Sequence, residues 1–256
     1  MKHTGLTEAQ WHSLSQTFRL RPGEQADARS LPAREWLDEA GCAALLERLA
    51  PVIGAPDAAI AASLLVKRLA FLVSGNVLYA MTVFNQGLHL DLNRTHLEYA
   101  HDNGLWTSAL PVEDLQFLPC PPDSREAWRE AIVDALFAGF FAPLCHALSR
   151  SSGLPVAILW ENIAVRVYSL YEGRMANLDA QAERRRREDF AWLTEQASPG
   201  LFGLDNNPLK RFRRPAKKLP EGQGYRRFRR TCCFYYKASK PVEYCLNCPL
   251  NCAKPQ

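Results

Sequence analysis

Apolar positions recur at helical spacing along most of this chain, and alternate with polar ones in one short region only. Thr7 predicts a cap for a short helix through Trp11 and Leu14. Leu31-Pro32 to Leu49 predicts a second, with alanine-rich periodicity around Trp36 and Leu45-Leu46, broken by Pro51, Gly54 and Pro56. From about Asp57 to Leu72 the positions Leu64, Leu65, Arg68, Leu69 and Leu72 mark a stronger helix, with apolar residues continuing beyond it. Asp123 and Ser124 open a long helix carrying Trp128, Ile132, Leu136 and Phe140. Pro155 to Tyr171 reads as a buried helix and Glu183 to Glu195 as a heavily charged amphipathic one, the last helical signal ending near Ser198-Pro199-Gly200.

The period changes between these helices. Gly87 to Leu92 and Thr95 to Tyr99 alternate apolar and polar, and Asp102-Asn103-Gly104 is a hairpin signal before Leu105 to Leu110. Val112 to Leu118 adds another candidate strand, followed by a loop with Pro119, Pro121 and Pro122. The expected fold class is therefore α+β: mainly helical, with a small antiparallel sheet and a loop-rich C-terminal segment. We expect three parts: a helical segment over 1–56, a core over 57–200 and a cysteine-rich segment over 201–256.

The two most apolar stretches, Leu69 to Phe84 and Ala131 to Leu148, are interrupted by Ser74-Gly75-Asn76 and by Asp134 and His146. They are expected to be buried core elements and not membrane spans. The polar start lacks the apolar region of a secretory signal, so a cytoplasmic setting is expected, where thiols stay reduced.

Charge and cysteine then single out the C-terminus. Residues 210–256 hold thirteen Lys+Arg against two Asp+Glu, a balance of +11, whereas the preceding residues hold 18 against 25, a balance of −7. The tail faces something negative: a ligand, a phosphate backbone, a lipid surface or the acidic part of its own fold. A strand is expected at Tyr225 to Phe228, but regular structure is scarce among so many prolines and glycines. The same segment carries Cys232-Cys233, then eleven residues, then Cys245-Leu246-Asn247-Cys248, and Cys252. At this density reduced cysteines read as a metal-ligand set that organises a loop-rich segment. Two residues between Cys245 and Cys248 make a turn that lets both thiolates converge on one ion. Adjacent side chains diverge, so Cys232 and Cys233 both ligate only if the backbone bends or the target is larger than one ion, which favours a binuclear iron–sulfur cluster. Spacing alone leaves zinc and iron–sulfur open.

Arg229-Arg230-Thr231-Cys232-Cys233, an aromatic-rich spacer and the Cys245/Cys248 pair resemble the C-terminal signature of the FhuF-type ferric siderophore reductases. Upstream, Leu159-Trp160-Glu161-Asn162 resembles that family's Trp-x-Asn helix segment, and Asn207-Pro208-Leu209 its Asn-Pro-Leu element. The likeness covers roughly residues 60 to 250, and the cysteine motif is its specific part. It implies a [2Fe–2S] cluster held by Cys232, Cys233, Cys245 and Cys248, and one-electron reduction of ferric iron held in a siderophore, a hydroxamate or similar chelate. It also implies release of ferrous iron in the cytoplasm. The spacer is one residue longer than the family pattern, and Cys252 is extra and reads as a bystander.

Arg226, Arg227, Arg229 and Arg230, just before the first pair, are candidate substrate-binding residues and would also stabilise the more negative reduced cluster. The chain lacks a Gly-x-Gly-x-x-Gly element opening a helix after a strand, so the electron is expected from an external donor. The run Lys210-Arg211, Arg213-Arg214, Lys217-Lys218 reads as a solvated surface or as an attractor for an anionic chelate or acidic donor. It also leaves room for peripheral contact with the inner face of the membrane. Tyr225, Phe228, Tyr235 and Tyr236 are candidates to shield the cluster or line the chelate site, against plain packing. His89, His96 and His101 do not converge, Cys42, Cys120 and Cys145 read as structural, and Arg184 to Arg187 as a solvated helix face. The rival reading is a zinc-organised basic module that binds nucleic acid. It leaves most of the chain as an unexplained acidic domain and fits the adjacent cysteine pair poorly, so nucleic acid is not the expected partner.

Overall fold

The capping chemistry of the sequence sets where the helices begin. In the computed structural model, which describes residues 5–98, 100–102, 105–219 and 224–252, Thr7 and Gln10 cap each other reciprocally to open α1 (Glu8–Thr17). Asp38, Asp57 and Asp179 accept backbone N–H bonds at the starts of α2 (Glu39–Val52), α3 (Ala58–Tyr79) and a later helix (Ala180–Ala191). The single helix expected from Leu31 to Leu49 is divided. Extended backbone at Leu31-Pro32 pairs as a strand, Ala33–Trp36 forms a 3-10 turn, and the Asp38 cap restarts the chain as α2. Pro51 lies in the last turn of α2, which ends at Val52, so the expected break before the next helix at Ala58 is present.

The strands are shorter than the alternation suggests. They are β1 (Leu20–Pro22), β2 (Ser30–Pro32), β3 (Gln86–Leu88), β4 (His96–Glu98), β5 (His101–Asp102), β6 (Leu105–Trp106), β7 (Leu110–Val112) and β8 (Phe117–Pro119). They form separate pairs instead of one sheet: β2 with β4, β3 with β8 and β5 with β6 antiparallel, and β1 with β7 parallel. The alternating run from Gly87 yields strand only to Leu88, because Asp91, Asn93 and Arg94 close a turn around the Asp91 side chain. Leu105 to Leu110 splits, since Trp106 pairs with His101 while Leu110 pairs across to Leu20. The expected turn residues Asn103-Gly104, and Tyr99 of the expected strand, lie outside the described residues.

The remaining helices are α4 (Arg125–Asp134), α5 (Ala142–Ser152), α6 (Val156–Ser169), α7 (Ala180–Ala191) and α8 (Pro208–Arg211). A π-helical stretch, Ala135–Phe141, joins α4 to α5, and similar turns extend α3 to Phe84, α6 to Arg174 and α7 to Gln196. These extensions make Ala58–Phe84 and Arg125–Ser152 27 and 28 residues long, long and apolar enough to cross a membrane by length and composition. The interruptions at Ser74-Gly75-Asn76 and at Asp134 and His146 therefore do not break these helices. Their burial agrees with the core reading, because 72% and 61% of their most apolar windows lie inside the fold.

α3 packs most extensively along α6 and also meets α2 and α5, so α3 is apolar on nearly every face. The close approach of α1 to it requires Gly75: a Cβ there would lie 2.3 Å from Cδ1 of Phe18. One apolar core runs from Leu14 to Phe212. A polar knot locks its far end. Asp189, fully buried on α7, accepts both Arg125 Nη groups at 2.8 Å and Thr82 Oγ1 at 2.9 Å, while Arg129 Nη1 lies at 3.2 Å. Of the four arginines read as a solvated face, Arg184 and Arg187 are exposed in ion pairs. Arg185 and Arg186 turn inward, donating to the carbonyls of Thr82, Val83 and Tyr171.

Candidate metal centre

The cysteine-bearing segment lies across the α3–α6 seam, and paired polar residues on those two helices hold it there. Ser63 and Lys67 are four residues apart on α3, as are Asn162 and Arg166 on α6, so each pair shares a helix face. The Asn162 amide donates to Ser63 O at 2.8 Å and Ser63 Oγ at 3.0 Å, and Arg166 Nε donates to Lys67 O at 3.2 Å. Ser63 Oγ in turn donates to the Cys233 carbonyl at 3.0 Å. Lys67 Nζ reaches Cys233 Sγ at 3.7 Å while sitting 4.8 Å above the Tyr235 ring.

Glu161, between Trp160 and Asn162, is wholly buried. It accepts the backbone N–H groups of Arg230 at 2.6 Å and Thr231 at 2.7 Å and the Thr231 hydroxyl, and it faces Arg229 Nε at 3.9 Å. The peptide leading into the cysteine pair is thus fixed by one carboxylate. Phe234 follows in the left-handed region at φ 59°, and its N–H donates to Cys232 Sγ at 3.3 Å. That bend leads into α9 (Tyr235–Ala238). The second pair is tied to the first through Asn247: Arg229 N–H donates to its carbonyl at 2.9 Å and its amide to the Arg227 carbonyl at 2.8 Å. Cys248 N–H closes the turn on the Cys245 carbonyl at 2.9 Å.

The sulfurs meet in two pairs. Cys233 and Cys245 Sγ lie 3.7 Å apart in a hydrogen bond, and the Cys232 thiol interacts with Cys248. Two thiolates held tetrahedrally about 2.3 Å from one metal are separated by about 3.8 Å, so the first pair is already at the spacing of co-ligands. Cys233 is drawn down, chiefly by the hydrogen bond with Cys245 and further by the Lys67 and Arg229 charges, against the opposing effect of burial. Cys245 is correspondingly pushed up, while burial raises Cys232. Among the described residues no three Cys, His, Asp or Glu side chains gather around one point. Two cysteine pairs with cations alongside suit an anionic group with two metal positions better than a single ion.

A cavity of about 480 Å³ opens next to the Cys245–Cys248 turn, between the C-terminal half of α6 and the segment running from Tyr225 to Arg229. Arg226, Arg227 and Arg229 line it, as do Tyr225 and Phe228. Leu246 and Asn247, the two residues between Cys245 and Cys248, line it as well. Arg230 is exposed and does not border it. Tyr236 instead stacks on Tyr244 at 5.1 Å. The expected strand at Tyr225 to Phe228 is only Tyr225–Arg226 (β10), antiparallel to Lys217–Lys218 (β9). In the basic run, Lys210, Arg211, Lys217 and Lys218 are exposed, but Arg213 is held by Thr194 and Glu195.

Asn207 works as a brace. Its amide donates to the Leu193 and Ala197 carbonyls while its oxygen accepts the Leu209 and Lys210 N–H groups, starting α8. Tyr168 then donates to Leu209 O at 2.6 Å. Asn207→Ala is expected to cost about 2 kcal/mol of stability and to leave the visible spectrum of the folded protein unchanged, as chemical denaturation and absorption would record. Cys42 and Cys145 are buried, their thiols pushed up by burial, whereas Cys120 is half-buried with its thiol on the Pro121 carbonyl. His96 approaches Glu113 and His101 packs on Trp106, apart from the sulfurs. The side chain of Cys252 lies outside the described residues. Lys67, Ser63 and Arg166 were not singled out by sequence reasoning; their signal is polar residues four apart in otherwise apolar helices.

No match is found among curated proteins. Residues 63–219, more than half of the chain, match the family described as ferric iron reductase FhuF-like transporter, and residues 229–250 match the FhuF 2Fe–2S C-terminal domain. That second match resolves the choice between zinc and iron–sulfur in favour of a [2Fe–2S] cluster. The chain therefore belongs to the FhuF-like ferric iron reductase family, with a C-terminal [2Fe–2S] domain.

Proposed function

We propose that this protein reduces the ferric iron of a siderophore and so releases ferrous iron in the cytoplasm, with Cys232, Cys233, Cys245 and Cys248 holding the cluster. The observation that carries this reading is the placement of two thiol pairs, with Lys67 and Arg229 against them and a cavity of about 480 Å³ next to the Cys245–Cys248 turn. When bound, the [2Fe–2S] cluster supplies electrons one at a time, which matches the single electron separating Fe³⁺ from Fe²⁺. Lys67 and Arg229 offset negative charge at the sulfurs and thereby favour the reduced form. Leu246 and Asn247 place the cavity next to the Cys245–Cys248 turn, so a chelate seated there lies close to the sulfurs. Ferric iron is a hard acid bound tightly by oxygen donors, and ferrous iron is held more weakly, so reduction frees the metal with no covalent bond of the chelator broken. The donor is a separate reductant.

The test is a stoichiometric transfer. Protein purified without oxygen is expected to be red-brown, to bleach with dithionite and to regain its oxidised spectrum when a ferric siderophore is added. A ferrous trap should then record one Fe²⁺ per cluster. A colourless protein containing one zinc per chain, or a reduced spectrum unmoved by any ferric chelate, would overturn the reading.

A further inference from the structure

The cavity next to the Cys245–Cys248 turn is lined by five arginines, at positions 166, 174, 226, 227 and 229, against two glutamates. Both glutamates are already engaged. Glu161 anchors the Arg230–Thr231 backbone opposite Arg229, and Glu172 accepts from Arg227 Nη2 at 2.8 Å. The other three arginines have no carboxylate partner among the described residues. Arg166 and Arg174 both pack around the Phe71 ring, at 5.9 and 4.9 Å from its centroid. Among the described residues the first of them bonds only to a backbone carbonyl. Arg229 adds a second kind of observation. Its side chain is 2% exposed, yet Nε and Nη2 find no hydrogen-bond partner among the described residues. Buried guanidinium donors left unmade cost free energy unless something meets them.

Arg166 is desolvated, with Arg174 and Arg229 as repelling neighbours and the Cys233 and Cys245 sulfurs as attractive ones, whereas Arg174 and Arg226 line the cavity with no carboxylate partner among the described residues. An anion in the cavity would relieve that repulsion and supply acceptors. A cavity of this volume is within the range of small-molecule sites. The ferric trication leaves a complex neutral when held by three hydroxamates, and strongly negative when held by three catecholates.

We infer that this cavity is the chelate seat, and that its arginines select a ferric complex of net negative charge with exposed catecholate or carboxylate oxygens. This inference rests on the reductase reading for its choice of ligand. Arg174, exposed, and Arg226, half-buried, are the specificity-determining residues at the mouth, and Arg166 lies deeper. The preference is electrostatic and weakens with ionic strength.

Gallium(III) complexes test the seat apart from electron transfer, because gallium has the charge of ferric iron but is not reduced by the cluster. With the cluster-loaded protein, calorimetric titration is expected to show a tris-catecholate gallium complex binding at least about tenfold more tightly than a neutral tris-hydroxamate one. Arg174→Gln and Arg226→Gln should each weaken the tris-catecholate complex by about tenfold, the cluster spectrum staying as in the unchanged protein. Equal or tighter binding of the neutral complex, failure of the tris-catecholate complex to bind, or arginine variants with unchanged affinity would overturn the inference even if siderophore iron is still reduced. Selective binding without any transfer of electrons to ferric chelates would instead remove the reductase reading and leave the anion seat standing.

Discussion

Serine in place of Cys233 or Cys248 is expected to yield a folded protein without the visible absorption of a [2Fe–2S] cluster. Both side chains are almost completely buried, at 1% and 2% exposure, so no solvent ligand readily replaces the missing sulfur. A serine hydroxyl does not ionise near neutral pH and is a harder donor than thiolate, which costs affinity for iron. At Cys233 the change also removes the sulfur that Lys67 contacts and leaves that ammonium facing a neutral oxygen. Iron and acid-labile sulfide per chain should fall at least about tenfold. Cys232 and Cys245 are half-buried. Their serine variants should retain some iron with a shifted spectrum, since water can approach and the partner sulfurs remain. Cys252→Ser should leave iron content and spectrum unchanged. Loss of the cluster in that variant, with retention in Cys233→Ser, would show that the ligand set is wrong.

The helices and the cysteine centre were legible in the sequence for different reasons. Caps such as Thr7 and the apolar periodicity of 57–72 are local signals, and the helices begin where those signals stand. Strand lengths were not legible, because alternation says nothing of partners. Leu110 leaves the expected hairpin to pair in parallel with Leu20, a contact 90 positions distant in sequence. The helix lengths were underestimated where π turns carry α3 past Tyr79 and join α4 to α5.

At the centre, sulfur spacing pointed to a ligand set and said nothing of its surroundings. Lys67 is one lysine on an apolar helix until α3 packs on the C-terminal segment and brings Nζ within 3.7 Å of Cys233 Sγ. The motif residues divided in the same way. Asn207 and Asn162 act on backbone groups and shape the scaffold, while the residue between Trp160 and Asn162 reaches the peptide that leads into Cys232-Cys233. A carboxylate directly after Val156-Ala157-Ile158-Leu159-Trp160, on the same helix, is an anomaly of the sequence. Buried acids are retained only with partners, and its partners come from some 70 residues further along the chain.

That carboxylate gives the second large effect. Glu161→Gln is expected to lower stability by about 3 kcal/mol and to shorten the lifetime of the cluster in a strong chelator. The native oxygens accept from Arg230 N, Thr231 N and the Thr231 hydroxyl, and oppose the Arg229 charge. Glutamine keeps one acceptor and turns an amide NH₂ toward a donor already there, so at least one buried N–H is stranded. It also leaves a 2% exposed guanidinium without its counter-charge, which is the costlier loss. For a chain of this size the melting temperature should fall by roughly 10 °C. A structural role alone would move only stability. Anchoring of the ligand peptide predicts in addition that iron is lost to chelator several-fold faster under conditions where the variant is still folded. Adding Arg229→Met to Glu161→Gln separates the two contributions. The double variant should recover part of the stability, because the orphaned charge is gone, but none of the cluster's lifetime, because the Arg230 and Thr231 amides remain unheld. Chelator kinetics in Glu161→Gln equal to those of the unchanged protein would show that the cysteine pair does not depend on this carboxylate.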